Sequence, residues 1–206
     1  MIDFERARRA LARRDPVLRD LMRAVGSGDL GRSGHADPFR ALARAIVGQQ
    51  LSVKAAATIS ARFEALFDGP PTPAGLARLS DARLRGVGLS GQKLGYLRDL
   101  SRRVLDGSLV LADLDAMTDD EVILALTAVK GIGRWTAEMF LMFRLQRPDV
   151  LPVGDLGIVR AMERAYRLRK TPTPERMLAI GECWRPYRTV ACWYLWASLD
   201  NAPGKD

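Results

Sequence analysis

The sequence predicts an all-α protein. Apolar residues recur at helical spacing along nearly the whole chain, and helix-opening signatures punctuate it. No run alternates as a strand requires. The 206 residues, 48% of them hydrophobic, suffice for a core in one domain or in two small interleaved lobes.

The elements follow in order. Residues 3–25 place Phe4, Ala7 and Leu11, then Leu18, Leu21, Met22 and Val25, on one helical face, with an interruption at Asp15-Pro16. Asp37-Pro38 reads as N-cap and first helical residue, and Leu42, Ile46 and Val47 line the face behind them. A further helix opens at Ser52 and runs through Ala55, Ile59, Phe63 and Leu66. Residues 68–75 are a breaker rich in glycine and proline. After the Gly86-Val87-Gly88 turn, a helix carries Leu94, Leu97 and Leu100. Thr118 and Glu121 form a capping box for a helix that runs to about Val129. The next starts near Arg134 with Trp135, Met139, Phe140, Met142 and Phe143; being apolar on most sides, it is expected at the centre of the fold. Thr173-Pro174-Glu175 opens another, and the last begins near Tyr187. The tail after Asp200 is expected to be disordered.

Lys and Arg total 32 against 24 Asp and Glu, a formal charge of +8. That balance favours a polyanionic partner, and the arginine-rich composition suits phosphate. Cys183 and Cys192 fit neither a metal-ligand pattern nor a disulfide and read as reduced core residues. His35, the one histidine, sits in a loop-like stretch, so a His-rich metal site or a Ser/His pair is largely excluded. The N-terminus is charged without an apolar core, and no apolar run spans a membrane. A cytoplasmic protein with no membrane partner is the expectation.

Four constellations could carry chemistry. Val129-Lys130-Gly131-Ile132-Gly133-Arg134-Trp135 joins two helices through a glycine hairpin. Glycine tolerates positive φ and lets another backbone approach, and the N–H groups opening the second helix can hold a phosphate. Lys130 and Arg134 flank it; the plain alternative is a glycine C-cap. Asp155, in Val153-Gly154-Asp155-Leu156, makes a good N-cap. A carboxylate held ionised there also suits chemistry that develops positive charge on a sugar. Trp135, Trp184, Trp193 and Trp196 are core candidates, and two or three could stack an extruded base. Gly48-Gln49-Gln50-Leu51-Ser52 is a sharp polar corner between helices, either a capped turn or a wedge that fills the gap left by a flipped base.

These residues resemble the helix-hairpin-helix superfamily of DNA base-excision glycosylases, in its alkylation-repair branch of 3-methyladenine DNA glycosylase II. The resemblance runs from about residue 5 to residue 200. Its motifs are residues 46–52, residues 87–93, Val129 to Ala137, and residues 151–155, and their order and spacing together are specific. It implies a two-lobed helical bundle with a cleft between the lobes, here a middle lobe over about 37–115 and a second lobe of 1–36 with 116–200. It implies hydrolysis of the N-glycosidic bond of a damaged base flipped out of double-stranded DNA by a monomeric enzyme.

By resemblance, Asp155 takes the place of the essential aspartate, and Trp135 and Trp196 match the pocket aromatics. Gln50 with Leu51 sits at the wedge. Gly131, Gly133, Arg134 and Lys130 hold the DNA backbone. The carbonyls of Thr127, Val129 and Ile132 match a monovalent-cation site. Relatives that also cut the strand carry a lysine nucleophile where Trp135 stands, so simple hydrolysis is expected. Two cysteines cannot hold the four-cysteine iron–sulfur cluster of some relatives, and no cofactor is required. The resemblance is to the compact form, in which the N-terminal mixed α/β domain of the best-known bacterial member is not expected. Alkylated purines such as 3-methyladenine and 7-methylguanine are the expected targets. The rival readings are a non-catalytic hairpin DNA-binding protein and a glycosylase for uracil or another damaged base.

Overall fold

The computed structural model describes residues 2–28 and 37–200; His35 and the tail after Asp200 lie outside them. All regular structure among the described residues is helical. The chain forms two compact units, His35–Phe140 and Met1–Gly34 with Leu141–Asp206.

The continuous unit holds α3 (Pro38–Gly48), α4 (Val53–Glu64), α5 (Pro73–Arg78), α6 (Asp81–Gly86), α7 (Gly91–Leu105), α8 (Asp119–Thr127) and α9 (Arg134–Met139). Helix α7 is its spine and packs on α3, α5 and α6. Leu94, Leu97 and Leu100 form its inner face, against a core that includes Phe39, Leu42, Ile46, Phe63, Leu76 and Leu84. The capping box at Thr118 forms as the sequence predicts: the Thr118 side chain accepts from the Glu121 N–H, and Glu121 accepts from the Thr118 N–H at 2.7 Å. Helix α5 begins inside the expected breaker, with Thr72 as N-cap and Pro73 at N1. Helix α6 has too few residues for a periodic signal, and Ser80 caps it.

The discontinuous unit holds α1 (Phe4–Arg14), α2 (Pro16–Val25), α10 (Leu156–Ala165), α11 (Pro174–Gly181) and α12 (Arg188–Asp200). Asp15 explains the interruption seen in the sequence. It is buried, and its Oδ1 accepts from the Val17 and Leu18 N–H groups to start α2. Its Oδ2 accepts from the Tyr166 hydroxyl and from Trp184 Nε1 at 2.8 Å. Trp184 is therefore a core residue. Trp193 meets Phe4 edge to face, with ring centroids 5.4 Å apart, and it too packs within this unit.

Two expectations need correction. The division expected near residue 115 falls after Phe140 instead, because the hairpin is tied to α3 and α7. Asp99 on α7 accepts the Lys130 N–H at 2.9 Å, and Gln49 Nε2 donates to the Gly131 carbonyl at 2.7 Å. The helix expected through Phe143 is also not uniformly buried. Helix α9 has six residues, and Phe140–Arg144 widens into a π-helical turn within which the chain passes from one unit to the other. Thr136, Ala137 and Glu138 are buried, but Trp135 is 50% exposed.

Asp99 is buried, which by itself pushes its carboxyl up. The Lys130 N–H and the Arg102 and Arg103 guanidiniums outweigh that and hold it well below the ordinary carboxylate range. A carboxyl depressed in the folded state contributes stability above about pH 4, lost as pH falls through its folded value. Asp99→Asn is therefore expected to cost about 1–3 kcal/mol at pH 7. The difference from wild type should shrink in urea titrations repeated at about pH 3, below the ordinary carboxylate value.

Candidate active site

The hairpin is built by two glycines with different reasons for being glycine. Gly131 has φ +81°, and a Cβ there would lie 2.1 Å from Cδ2 of the Tyr96 ring. Both the turn and the close approach exclude a side chain. Gly133 has φ −90°, which any residue adopts, and a Cβ there meets nothing within 4 Å. Positive φ is therefore used at Gly131 and not at Gly133. The fold does not require glycine at 133, so its lack of a side chain bears on what approaches from outside.

Helix α9 also differs from its neighbours in capping. Ten other α-helices open on an Asp, Ser or Thr whose side chain accepts an early N–H group. Gly133 supplies no such side chain. The first-turn N–H groups of α9, with the positive end of the peptide dipoles, suit an external anion such as phosphate. Arg134, largely exposed, pairs with the buried Glu138 at 3.0 Å. Ile132 N donates to the Val129 carbonyl at 3.1 Å.

The corner between α3 and α4 lies in the same unit. Gln50 is exposed and takes φ +57°, an uncommon conformation for a residue with a Cβ, at a cost of about 1 kcal/mol. Leu51 is half-buried and Ser52 caps α4. Lys93 Nζ donates to the Val47 carbonyl at 2.7 Å, and partial burial lowers its ammonium below the ordinary lysine value. A polar cavity of about 340 Å³ is lined by Gln49, Gln50, Lys93, Tyr96, Gly131 and Trp135, among others. The structure thus brings Trp135, Gln50 and the hairpin together. Sequence reading missed Val53, 89% exposed beside the corner; an apolar residue at the first helical position was the available signal.

Asp155 belongs to the other unit. It is the N-cap of α10, as the sequence predicts, and is 8% exposed. Its Oδ1 accepts from the Ile158 N–H at 2.8 Å and from Trp196 Nε1 at 2.9 Å. Trp196, on α12, stacks on Phe143 with ring centroids 6.0 Å apart and planes 27° from parallel. The residue expected as an aromatic wall is thus also a donor to the candidate catalytic carboxylate. Gly157 makes room for this pair: a Cβ there would lie 3.0 Å from Asp155 Oδ1 and from Trp196 Cδ1. Sequence reading missed Gly157, Phe143 and Asp99. None sits in a recognisable motif, and their roles depend on partners distant in the chain.

Comparison with known proteins accords with these features. The family described as HhH-GPD superfamily base excision DNA repair protein matches residues 43–186, a span that holds the corner, the hairpin and Asp155. DNA-3-methyladenine glycosylase 1 of Schizosaccharomyces pombe is 36% identical over 180 residues, covering 85% of this chain and 79% of its own. The solved structure of the S. pombe 3-methyladenine DNA glycosylase Mag1 in complex with abasic DNA superposes with a TM-score of 0.83 at 35% identity. That match covers 93% of this chain and 95% of the other. A DNA-3-methyladenine glycosidase from Bacillus halodurans gives a TM-score of 0.80 at 41% identity, covering 91% and 85%. With the hairpin, the capping aspartate and the corner all inside the matched span, this chain belongs to the HhH-GPD superfamily of base excision DNA repair proteins.

Proposed function

We propose that this protein is a monofunctional DNA glycosylase that hydrolyses the N-glycosidic bond of alkylated purines, such as 3-methyladenine and 7-methylguanine, in double-stranded DNA. The observation that carries the reading is the Asp155 carboxylate, fixed by a helix N–H and by the Trp196 indole in a protein of this superfamily. The names of the similar glycosylases support the substrate class.

Alkylation at purine N3 or N7 makes the base cationic and a good leaving group, so little acid assistance is needed. As the bond breaks, positive charge develops on the sugar. A carboxylate already oriented by two N–H groups stabilises that charge without reorganising, an effect of about 3–4 kcal/mol where such groups have been removed. Water then attacks the sugar carbon, and an abasic site and free base are left. Trp135 and Trp196 each offer an aromatic face of the kind that favours an electron-poor, cationic base. The α9 amides, Lys130 and Arg134 hold a backbone phosphate without reading sequence, and Gln50 with Leu51 fills the vacated stack.

The carbonyls of Thr127, Val129 and Ile132 fit a monovalent cation in chemistry: they are hard oxygens, and the Val129 carbonyl that accepts the Ile132 N–H keeps a second lone pair. Such an ion would neutralise phosphate charge at the hairpin. Trp135 stands where lyase relatives place a lysine, so no Schiff base forms there. The protein acts as a cytosolic monomer.

Mass spectrometry of bases released from alkylated, deaminated and oxidised duplexes tests the reading. Methylated purines are expected from the first, with no borohydride-trapped protein–DNA adduct. Release of uracil or oxidised guanine alone would overturn the substrate class. Trp196→Phe, which keeps the ring stacking but loses the Nε1 donor, is expected to lower kcat about tenfold while the substrate KM changes little.

A further inference from the structure

The corner at Gln50 and the hairpin at Gly131 lie 81 residues apart in the sequence, yet one side chain joins them. Gln49 ends α3, with its N–H donated to the Ile46 carbonyl at 3.3 Å. Its Nε2 donates to the Gly131 carbonyl at 2.7 Å, at the residue whose left-handed conformation turns the hairpin. The next residue, Gln50, is itself left-handed and exposed. The α3 end of the corner is held by the Lys93 ammonium on the Val47 carbonyl, and the hairpin side by the Tyr96 ring against Gly131. Lys93 and Tyr96 sit three residues apart on one face of α7.

We propose that Gln49 is a positioning residue that couples the wedge to the phosphate grip, so that hairpin binding to the backbone sets where Gln50 enters the base stack. The inference rests on the proposed function, because it takes Gln50 as the wedge. A left-handed residue with a Cβ persists only where its surroundings over-determine it, and the Gln49 amide ties the corner directly to the hairpin. Without it, the hairpin still presents the α9 amides to phosphate, but the tip is free to relax.

The test uses Gln49→Glu, which keeps the side-chain length but presents a carboxylate that cannot donate to the Gly131 carbonyl. Gln49→Ala serves as the second variant, since it adds no repulsion. Thermal melts first establish that each folds. Affinity is then measured for an undamaged duplex and for one with a tetrahydrofuran abasic analogue, and 2-aminopurine placed opposite the analogue reports insertion into the stack. Both variants are expected to bind the undamaged duplex within about twofold of wild type, because phosphate contact is kept. Both should lose about tenfold in preference for the analogue, the loss of roughly one hydrogen bond's worth of positioning, and much of the fluorescence change. Equal losses on both duplexes would overturn the proposal, reducing Gln49 to hairpin support. Unchanged preference and fluorescence would overturn it as well. If wild type itself shows no preference for the analogue, the proposed function fails and not the coupling alone.

Discussion

Asp155→Asn is expected to abolish most base release while leaving the fold intact, with a fall in kcat of about 10²–10³-fold. The substitution separates two roles that coincide in one side chain. As N-cap, the residue needs an oxygen that accepts the Ile158 N–H, and asparagine caps helices as well as aspartate. The Trp196 indole can still donate to that amide oxygen. Only the negative charge is removed, so thermal unfolding should move by no more than a degree or two, the scale of a few tenths of a kcal/mol in a chain of this size. Asp155→Ala is the contrasting variant. It loses charge and cap together and should cost about 1 kcal/mol of stability in addition. Single-turnover release of 7-methylguanine from alkylated duplex, followed beside thermal melts, checks both. Wild-type release by the Asn variant would remove Asp155 from the chemistry and leave it a helix cap.

The second large effect is expected at the hairpin, where Gly131→Ala and Gly133→Ala should behave in opposite ways. At 131 the backbone is left-handed and the added Cβ would sit within 2.4 Å of three Tyr96 ring atoms. Conformational strain exceeds about 1 kcal/mol there, and forcing the ring aside adds about 1–3 kcal/mol. The melting temperature should fall by roughly 5–15 °C, with DNA affinity following the fold. At 133 neither cause exists, since φ is −90° and nothing lies within 4 Å of the added carbon. Stability should be unchanged or slightly raised, and duplex affinity should drop about tenfold or more if a phosphate approaches that backbone. Melting and binding measured on the same two preparations test this. Full affinity in Gly133→Ala would show that no phosphate is held against α9 in the way proposed.

Several features were legible because their signals are local. The interruption at Asp15-Pro16, the capping box at Thr118 and Glu121, and the N-caps at Asp37, Ser52, Asp155 and Thr173 all depend on residues within three or four positions of one another. The short helices α5 and α6 were not legible. Six residues make under two turns, which leaves no periodic pattern to read. Trp184 and Trp193 could not be told from Trp135 and Trp196 by composition. What separates them is a buried aspartate at residue 15 and a phenylalanine at residue 4, each more than 160 positions away.

The sequence by itself determined an all-α chain, a glycine hairpin, a capping aspartate and a family resemblance that rests on the order and spacing of these motifs. Tertiary structure decided which glycine the turn requires, because only Gly131 meets the Tyr96 ring. It decided that Trp196 donates to Asp155 across 41 positions of chain, and that Gln49 and Asp99 hold the hairpin across 82 and 31. The physical reason is the same in each case. Caps and turns are fixed by neighbours in sequence, whereas a side chain's hydrogen-bond partner across the fold is chosen by how the helices pack, and single-chain periodicity carries no record of that choice.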